Sequence, residues 1–224
     1  MDGHGPLKLR ERAYDSFTRH LLARDVRPGQ FVSQRELVEL TGLPLGAIRE
    51  LVPRLEAEGL IRTVPQRGMQ VAHVDLGLIR DAFQFRLFLE KEAMALFVES
   101  VSDETLATLR ADHERVLSRA AREGNTPEIV AEAQAIDWGM HDTIVEALGN
   151  EIITKAYRVN SIKIRLIRQE RTRIDGLVEP VMREHLAILD AIAARDAAAA
   201  VAALVGHIEN ARSRALGVDR RGFS

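Results

Sequence analysis

Cysteine is absent from this chain of 224 residues, which excludes a disulfide framework and a thiolate-bound metal site. Aromatic residues make up only 4%, while Ala and Leu abound, a balance that favours a mainly helical fold. Neither sign of charge dominates: 31 Lys and Arg face 33 Asp and Glu, for a net charge of −2, so the molecule as a whole is not a polycation. A long hydrophobic run is also missing. The longest, Ala197–Gly206, is bracketed by Asp196 and His207 and is too short to span a bilayer. The start, Met1–Arg12, is polar and charged and does not read as a signal peptide. These absences point to a soluble cytoplasmic protein. At 46% hydrophobic the chain can still bury a proper core, as one large or two modest domains.

The stretch Glu132–Gly149 organises the rest. Ile129, Ala133, Ile144 and Leu148 recur at steps of three and four, the mark of one helical stripe. Asp137 and His141 lie on that apolar stripe one turn apart. A carboxylate and an imidazole facing a core need partners, because burying them unpaired costs several kcal/mol. His185 falls on the stripe Met182–His185–Leu189–Ile192, and His207 borders Val201, Leu204, Ile208 and Ala211. Two readings follow. Each histidine can be an ordinary hydrogen-bonded core residue. Alternatively, one carboxylate and three imidazoles converge inside a bundle as a divalent metal site, with N and O ligands suited to zinc or nickel.

Taken in order, the chain begins with a helix over Lys8–Arg24, with Ala13, Phe17, Leu21 and Leu22 inward. Arg27-Pro-Gly-Gln is a turn. Ser33 caps a second helix and Glu36 completes a capping box; Gly42 ends it. Pro44 opens a third helix running to about Glu58, in which Pro53 predicts a kink or a break. Two short strands, Leu60–Val64 and Met69–Val74, are joined by the hairpin turn Pro65–Gly68. This succession is a winged helix-turn-helix. Its third helix suits a major groove and its hairpin tip a backbone or minor groove. The available cations are Arg35, Arg49, Arg54, Arg62 and Arg67. A winged helix used for protein contacts is the other reading, since acids nearly balance bases over residues 1–75.

From about His73–Leu78 onward the pattern is helical. Asp75–Ser100 carries Arg86, four residues before Glu90 and so within salt-bridge reach. Asp103–Glu123 is more polar, and His113 reads as solvated on its polar face. Glu151–Arg173 has an inward stripe of Ala156, Asn160, Ile164 and Ile167. There Asn160 can donate to a ligand, to a metal-bound water or to a neighbouring helix. Lys155, Arg158, Lys163 and Arg165 form its solvated face. Asp175-Gly176 is a turn, Pro180–Ala194 carries His185, and Asp196 caps a last helix carrying His207. Met1–Leu7 and Val218–Ser224 read as frayed ends.

The run Arg27-Pro-Gly-Gln, Ser33-Gln-Arg-Glu-Leu37, Gly42-Leu43, Ile48-Arg49-Glu50, Arg54-Leu55-Glu56, Glu58-Gly59-Leu60-Ile61 and Pro65-Gln-Arg-Gly68 resembles the GntR family of bacterial transcription regulators over residues 8–74. Pro44-Leu45 departs from the Ser-Arg usual there. The C-terminal part resembles the FadR-type effector domain called FCD, through Arg86 with Glu90, Asp137 with His141, Gly149-Asn150, His185 and His207. The resemblance implies a dimeric, ligand-responsive regulator that reads a pseudo-palindromic operator. It implies Arg35, Arg49, Arg54, Arg67 and Gly68 at DNA and a divalent metal on Asp137, His141, His185 and His207. It also implies a small organic acid held at that metal, with Arg86 as carboxylate clamp beside Asn160.

The expectation is therefore a mainly α protein. A winged helix-turn-helix over 1–75 precedes an all-α bundle of six to seven helices over 76–224. The competing function is a metal-dependent enzyme, since a His-rich site with open positions can activate water. No general base stands out beside the ligands, and such an enzyme would leave the winged helix unexplained.

Overall fold

The computed structural model describes residues 6–171 and 176–218. The chain divides between Leu78 and Ile79 into two compact units.

In the first unit, α1 (Pro6–Leu22) buries Ala13, Phe17 and Leu21. A type II turn follows, with Pro28 at its second position and Gly29 at φ +78° at its third. Two backbone hydrogen bonds tie this turn to Val71. Helix α2 (Gln34–Thr41) has the expected capping box: Ser33 Oγ accepts from the Glu36 amide, and Glu36 accepts from the Ser33 amide. Gly42 ends it in the left-handed conformation. Helix α3 (Leu45–Ala57) buries Ala47, Ile48, Leu51, Val52 and Leu55, and it packs on both α1 and α2.

Pro53 does not break α3. The burial of Leu51, Val52 and Leu55 around it outweighs one missing N–H. The sheet also differs from expectation. Strands β2 (Ile61–Val64) and β3 (Gly68–Val71) form the hairpin, but a third strand, β1 (Phe31–Val32), pairs with the far edge of β3, in order β1-β3-β2. Two residues are too short to show a period of two, which is why β1 is not readable in sequence.

The second unit contains α4 (Leu76–Ser100, apart from its first residues), α5 (Asp103–Glu123), α6 (Pro127–Glu146), α7 (Glu151–Arg171), α8 (Val178–Ala193) and α9 (Ala197–Ala215). Caps set the starts: Ser102, Thr126 and Asp196 each accept a backbone amide. Val116 of α5, Ile129 and Ala133 of α6, and Val178, Val181 and Met182 of α8 make one core cluster. α8 packs against α5, α6 and α9, and α7 against α6 and α9. The mainly α architecture, winged helix then bundle, is the one expected. Residues 172–175, including Asp175 of the expected turn, lie outside the described residues, as do 1–5 and 219–224 of the expected frayed ends, whereas Pro6 and Leu7 open α1. Two expectations inside the bundle are corrected. Ala156 is exposed and Tyr157 takes its place inside. His113 is fully buried.

Candidate metal centre

Asp137 and His141 come from α6, His185 from α8 and His207 from α9. All four side chains are buried, and one ligand atom from each lies within 4.8 Å of the others. His141 Nε2 is 3.3 Å from His207 Nε2, and His185 Nε2 is 3.2 Å from His207 Nε2. Asp137 Oδ1 is 3.2 Å from His185 Nε2 and 4.0 Å from His207 Nε2.

What lies behind each ring decides what those atoms are. His141 Nδ1 is 2.7 Å from Glu90 Oε2, and His207 Nδ1 is 2.7 Å from Glu184 Oε2. A carboxylate only accepts, so both rings carry their proton on Nδ1. His113 Nδ1 donates to the Leu109 carbonyl at 2.6 Å. Its Nε2 is then the acceptor for His185 Nδ1–H, at 2.9 Å. All three Nε2 atoms are thus lone pairs, aimed together with a carboxylate oxygen at one point. Asp137 Oδ1 is buried with no hydrogen-bond partner, while Oδ2 accepts from Arg168. Four acceptors without a donor repel one another, and a cation relieves this. An ion about 2.1 Å from each ligand separates its ligands by roughly 3.0–3.4 Å at right to tetrahedral angles, as most of these distances do. The residues fit a divalent ion.

The electrostatics agree. Burial drives His141 down to about 4, with Arg86 adding to the effect against Glu90. It drives His207 well below the usual imidazole range and His113 to about 4. The neutral imidazole, the ligating form, is therefore the resident one. Burial alone would raise Glu90, but Arg86 and His141 outweigh it and hold the group at about 2. Burial would raise Asp137 too; the Arg168 guanidinium outweighs it and holds the carboxyl well below the usual carboxylate range.

A small cleft with about 10 Å³ of free space, room for about one water, adjoins His141. Arg86, Trp138, Tyr157, Asn160 and Ser161 line it. Arg86 makes the salt bridge that its spacing from Glu90 predicted. Its Nε donates to Glu90 at 2.7 Å, and the side chain still lines the cleft. Glu90 also accepts from Tyr157 Oη at 3.1 Å, so one buried carboxylate serves Arg86, Tyr157 and His141. Asn160 Nδ2 donates to the Ala82 carbonyl at 3.0 Å, the neighbouring-helix bond.

Glu184, Arg168 and Trp138 were not singled out in the sequence, and His113 was misjudged. The signal for His113 was present: Leu106, Leu109, His113 and Val116 step by three and four. The flanking Asp112 and Glu114 hid it. Arg168 similarly continues the stripe Asn160–Ile164.

In the first unit, Arg49 is exposed on α3 and Arg35 is exposed on α2, bonded to Glu39. Leu45, at the start of α3, is 42% exposed. Arg67 sits in the hairpin turn, 5.6 Å from the Phe31 ring centroid. Gly68 has φ +87°, and a Cβ there would stand 3.1 Å from the Val32 carbonyl oxygen. Arg62 bonds Gln70 on the adjacent strand. Arg54 is differently placed: it bonds Glu11 and Glu58 and lies over the Tyr14 ring. Its guanidinium ties α1 to α3.

Comparison with known proteins follows the same division. The family profile described as bacterial regulatory proteins, gntR family, matches residues 9–71, and that of the FCD domain matches residues 81–210. The Nta operon transcriptional regulator of Aminobacter aminovorans is 27% identical over 185 residues, 82% of this chain and 83% of that protein. Among solved structures, a GntR transcriptional regulator from Rhodococcus sp. RHA1 superposes with a TM-score of 0.75 at 19% identity, covering 94% of this chain and 99% of that one. McbR/YncC of E. coli gives 0.74 at 18%, covering 90% and 94%. At these identities the structural likeness speaks for the fold.

Proposed function

The chain belongs to the GntR family of bacterial regulatory proteins, with a C-terminal FCD domain, and is a DNA-binding transcription regulator rather than an enzyme; on that premise we propose that a small organic acid, bound at a divalent metal in the bundle, tunes its affinity for a pseudo-palindromic operator. The observation that carries this is the convergence of Asp137 Oδ1 with three imidazole lone pairs beside a cleft lined by an arginine. Asp137, His141, His185 and His207 would hold the ion, zinc or nickel by their N and O donors. When bound, the ion supplies a Lewis-acid anchor for a carboxylate.

The chain's own groups do the rest. Glu90, His113 and Glu184 fix the tautomer and tilt of the three rings, as outer partners of metal-bound histidines do. Arg168 orients Asp137. Arg86 spends Nε on Glu90, which leaves its Nη nitrogens to grip an acid in a charge-assisted pair. Asn160, held by Ala82, shapes the wall. Regulation requires that the acid bind two states of the protein with different affinity.

At DNA, Arg35, Arg49, Arg67 and Gly68 form the contact set. Arg54 supports α3 from behind. A homodimer would match two half-sites, and α4 offers a surface for it. Phe85, Phe88 and Leu96 lie on one face of that helix and are 38%, 80% and 55% exposed. Among the described residues no helix is long and apolar enough to cross a membrane, in keeping with a cytoplasmic regulator.

The test is elemental analysis of protein purified without chelator or metal-binding tag. One divalent ion per chain is expected, and His185→Ala and His207→Ala should each lose most of it. Full occupancy in both variants would make these histidines ordinary core residues and remove the basis of the proposal.

A further inference from the structure

Helix α3 opens without a polar side chain. Its N-cap, Pro44, makes no side-chain cap bond, and its first two residues are Leu45 and Gly46. Both are exposed, Leu45 at 42%. The core of the unit calls for neither. Ala47, Ile48, Leu51, Val52 and Leu55 carry the apolar face of α3 inward, and Leu45 stands off that face. Glycine is unfavourable inside a helix relative to alanine. Gly46 lies within α3, and a Cβ there would meet no atom within 4 Å. Neither backbone conformation nor crowding within the chain therefore asks for glycine. Its missing side chain clears space on the outside of the helix, next to an exposed leucine. Glycine serves where another molecule must approach the backbone closely.

In a helix-turn-helix the first residues of the recognition helix reach the base edges. Cations for the phosphates are at hand in Arg35, Arg49 and Arg67, all exposed. A leucine adds nothing at a phosphate. Against guanine N7 and O6, or the cytosine amino group, it would cover polar atoms and leave them unpaired. The apolar group that the major groove does offer is the thymine C5-methyl. We propose that Leu45 is a specificity-determining residue that packs on a thymine methyl in each half-site, with Gly46 letting the start of α3 come that close. This rests on the reading that α3 lies in the major groove of the operator. The arginines then hold the duplex, and Leu45 chooses the sequence, the division between phosphate and base contacts.

The probes are duplexes enriched from a random-sequence library by the full-length protein, with binding followed by fluorescence anisotropy. Each thymine of the enriched half-site is replaced in turn by deoxyuridine, which lacks the C5-methyl. At one position the parent protein should bind about fourfold more weakly, the transfer free energy of one buried methyl. Leu45→Ala should bind the thymine and deoxyuridine probes at that position equally. Its salt slope should match the parent's, because no phosphate contact is lost. Leu45 is exposed, so the variant should keep the parent's thermal midpoint, and the deoxyuridine series on the parent reports even without it. Gly46→Ala separates fold from function: it should raise the thermal midpoint and yet weaken binding to the enriched duplex. If no thymine responds to deoxyuridine, or if the penalty persists in Leu45→Ala, the assignment to Leu45 is overturned, while the placement of α3 in the groove stands. Undiminished binding by Gly46→Ala overturns the close approach. If the protein enriches no sequence at all, the reading of α3 falls as well.

Discussion

At the scale of single residues, the centre depends as much on what stands behind the ligands as on the ligands. His113 is the clearest case. It touches no ligand-binding point, yet it accepts the His185 Nδ1 proton and so frees the Nε2 lone pair. His113→Ala should weaken metal binding about ten- to a hundredfold, the usual cost of losing such a partner. Competition against a chromophoric chelator would measure it, and parent-like affinity would reduce His113 to packing. The same burial predicts how the metal-free protein responds to acid. His113 and His141 stand at about 4 in the folded protein against 6.5 in an unfolded chain. Between those values the unfolded chain binds more protons, so stability rises with pH. It is fully present above about 6.5 and drains away as pH falls towards 4. Chelator-treated protein should show a lower urea midpoint at pH 5 than at pH 7. Equal midpoints would mean that these imidazoles are not buried neutral.

At the scale of elements, α3 shows local rules overridden by packing. Proline inside a helix costs about 3 kcal/mol, yet α3 runs on through Pro53 because the apolar face on either side is buried against α1 and α2. What α3 turns outward bears on DNA. Arg49 is exposed, whereas Arg54 is engaged from three sides. Arg49→Ala should therefore lower operator affinity and reduce the slope of log affinity against log salt by about one unit, with the thermal midpoint of the protein unchanged. An unchanged slope, read by fluorescence anisotropy over a salt series, would take Arg49 off the phosphate backbone. Arg54→Ala should instead lower stability, since it strips two carboxylates of their partner.

At the scale of the whole molecule, the exposed stripe Phe85, Phe88 and Leu96 bears on assembly. Large apolar side chains on one helix face mark association surfaces, and Phe88 is the most exposed of the three. Parent protein should sediment as a dimer at micromolar concentration and Phe88→Glu as a monomer. A monomeric parent, with and without DNA, would remove the dimer. The order of elements, the caps at Ser33 and Asp196, the helix ends at Gly42 and Gly59, and the inward placement of Asp137, His141, His185 and His207 were all legible in the sequence. Each follows from chemistry within four or five residues, which periodicity and capping preferences report. The tertiary structure alone decided the strand β1, the continuity of α3, the burial of His113 and the meeting of Glu90, Glu184 and Arg168 with the ligands. Those depend on which helix faces pack together, and contacts between residues 23 to 72 positions apart, such as Glu184 with His207 and His113 with His185, leave no local periodicity to read.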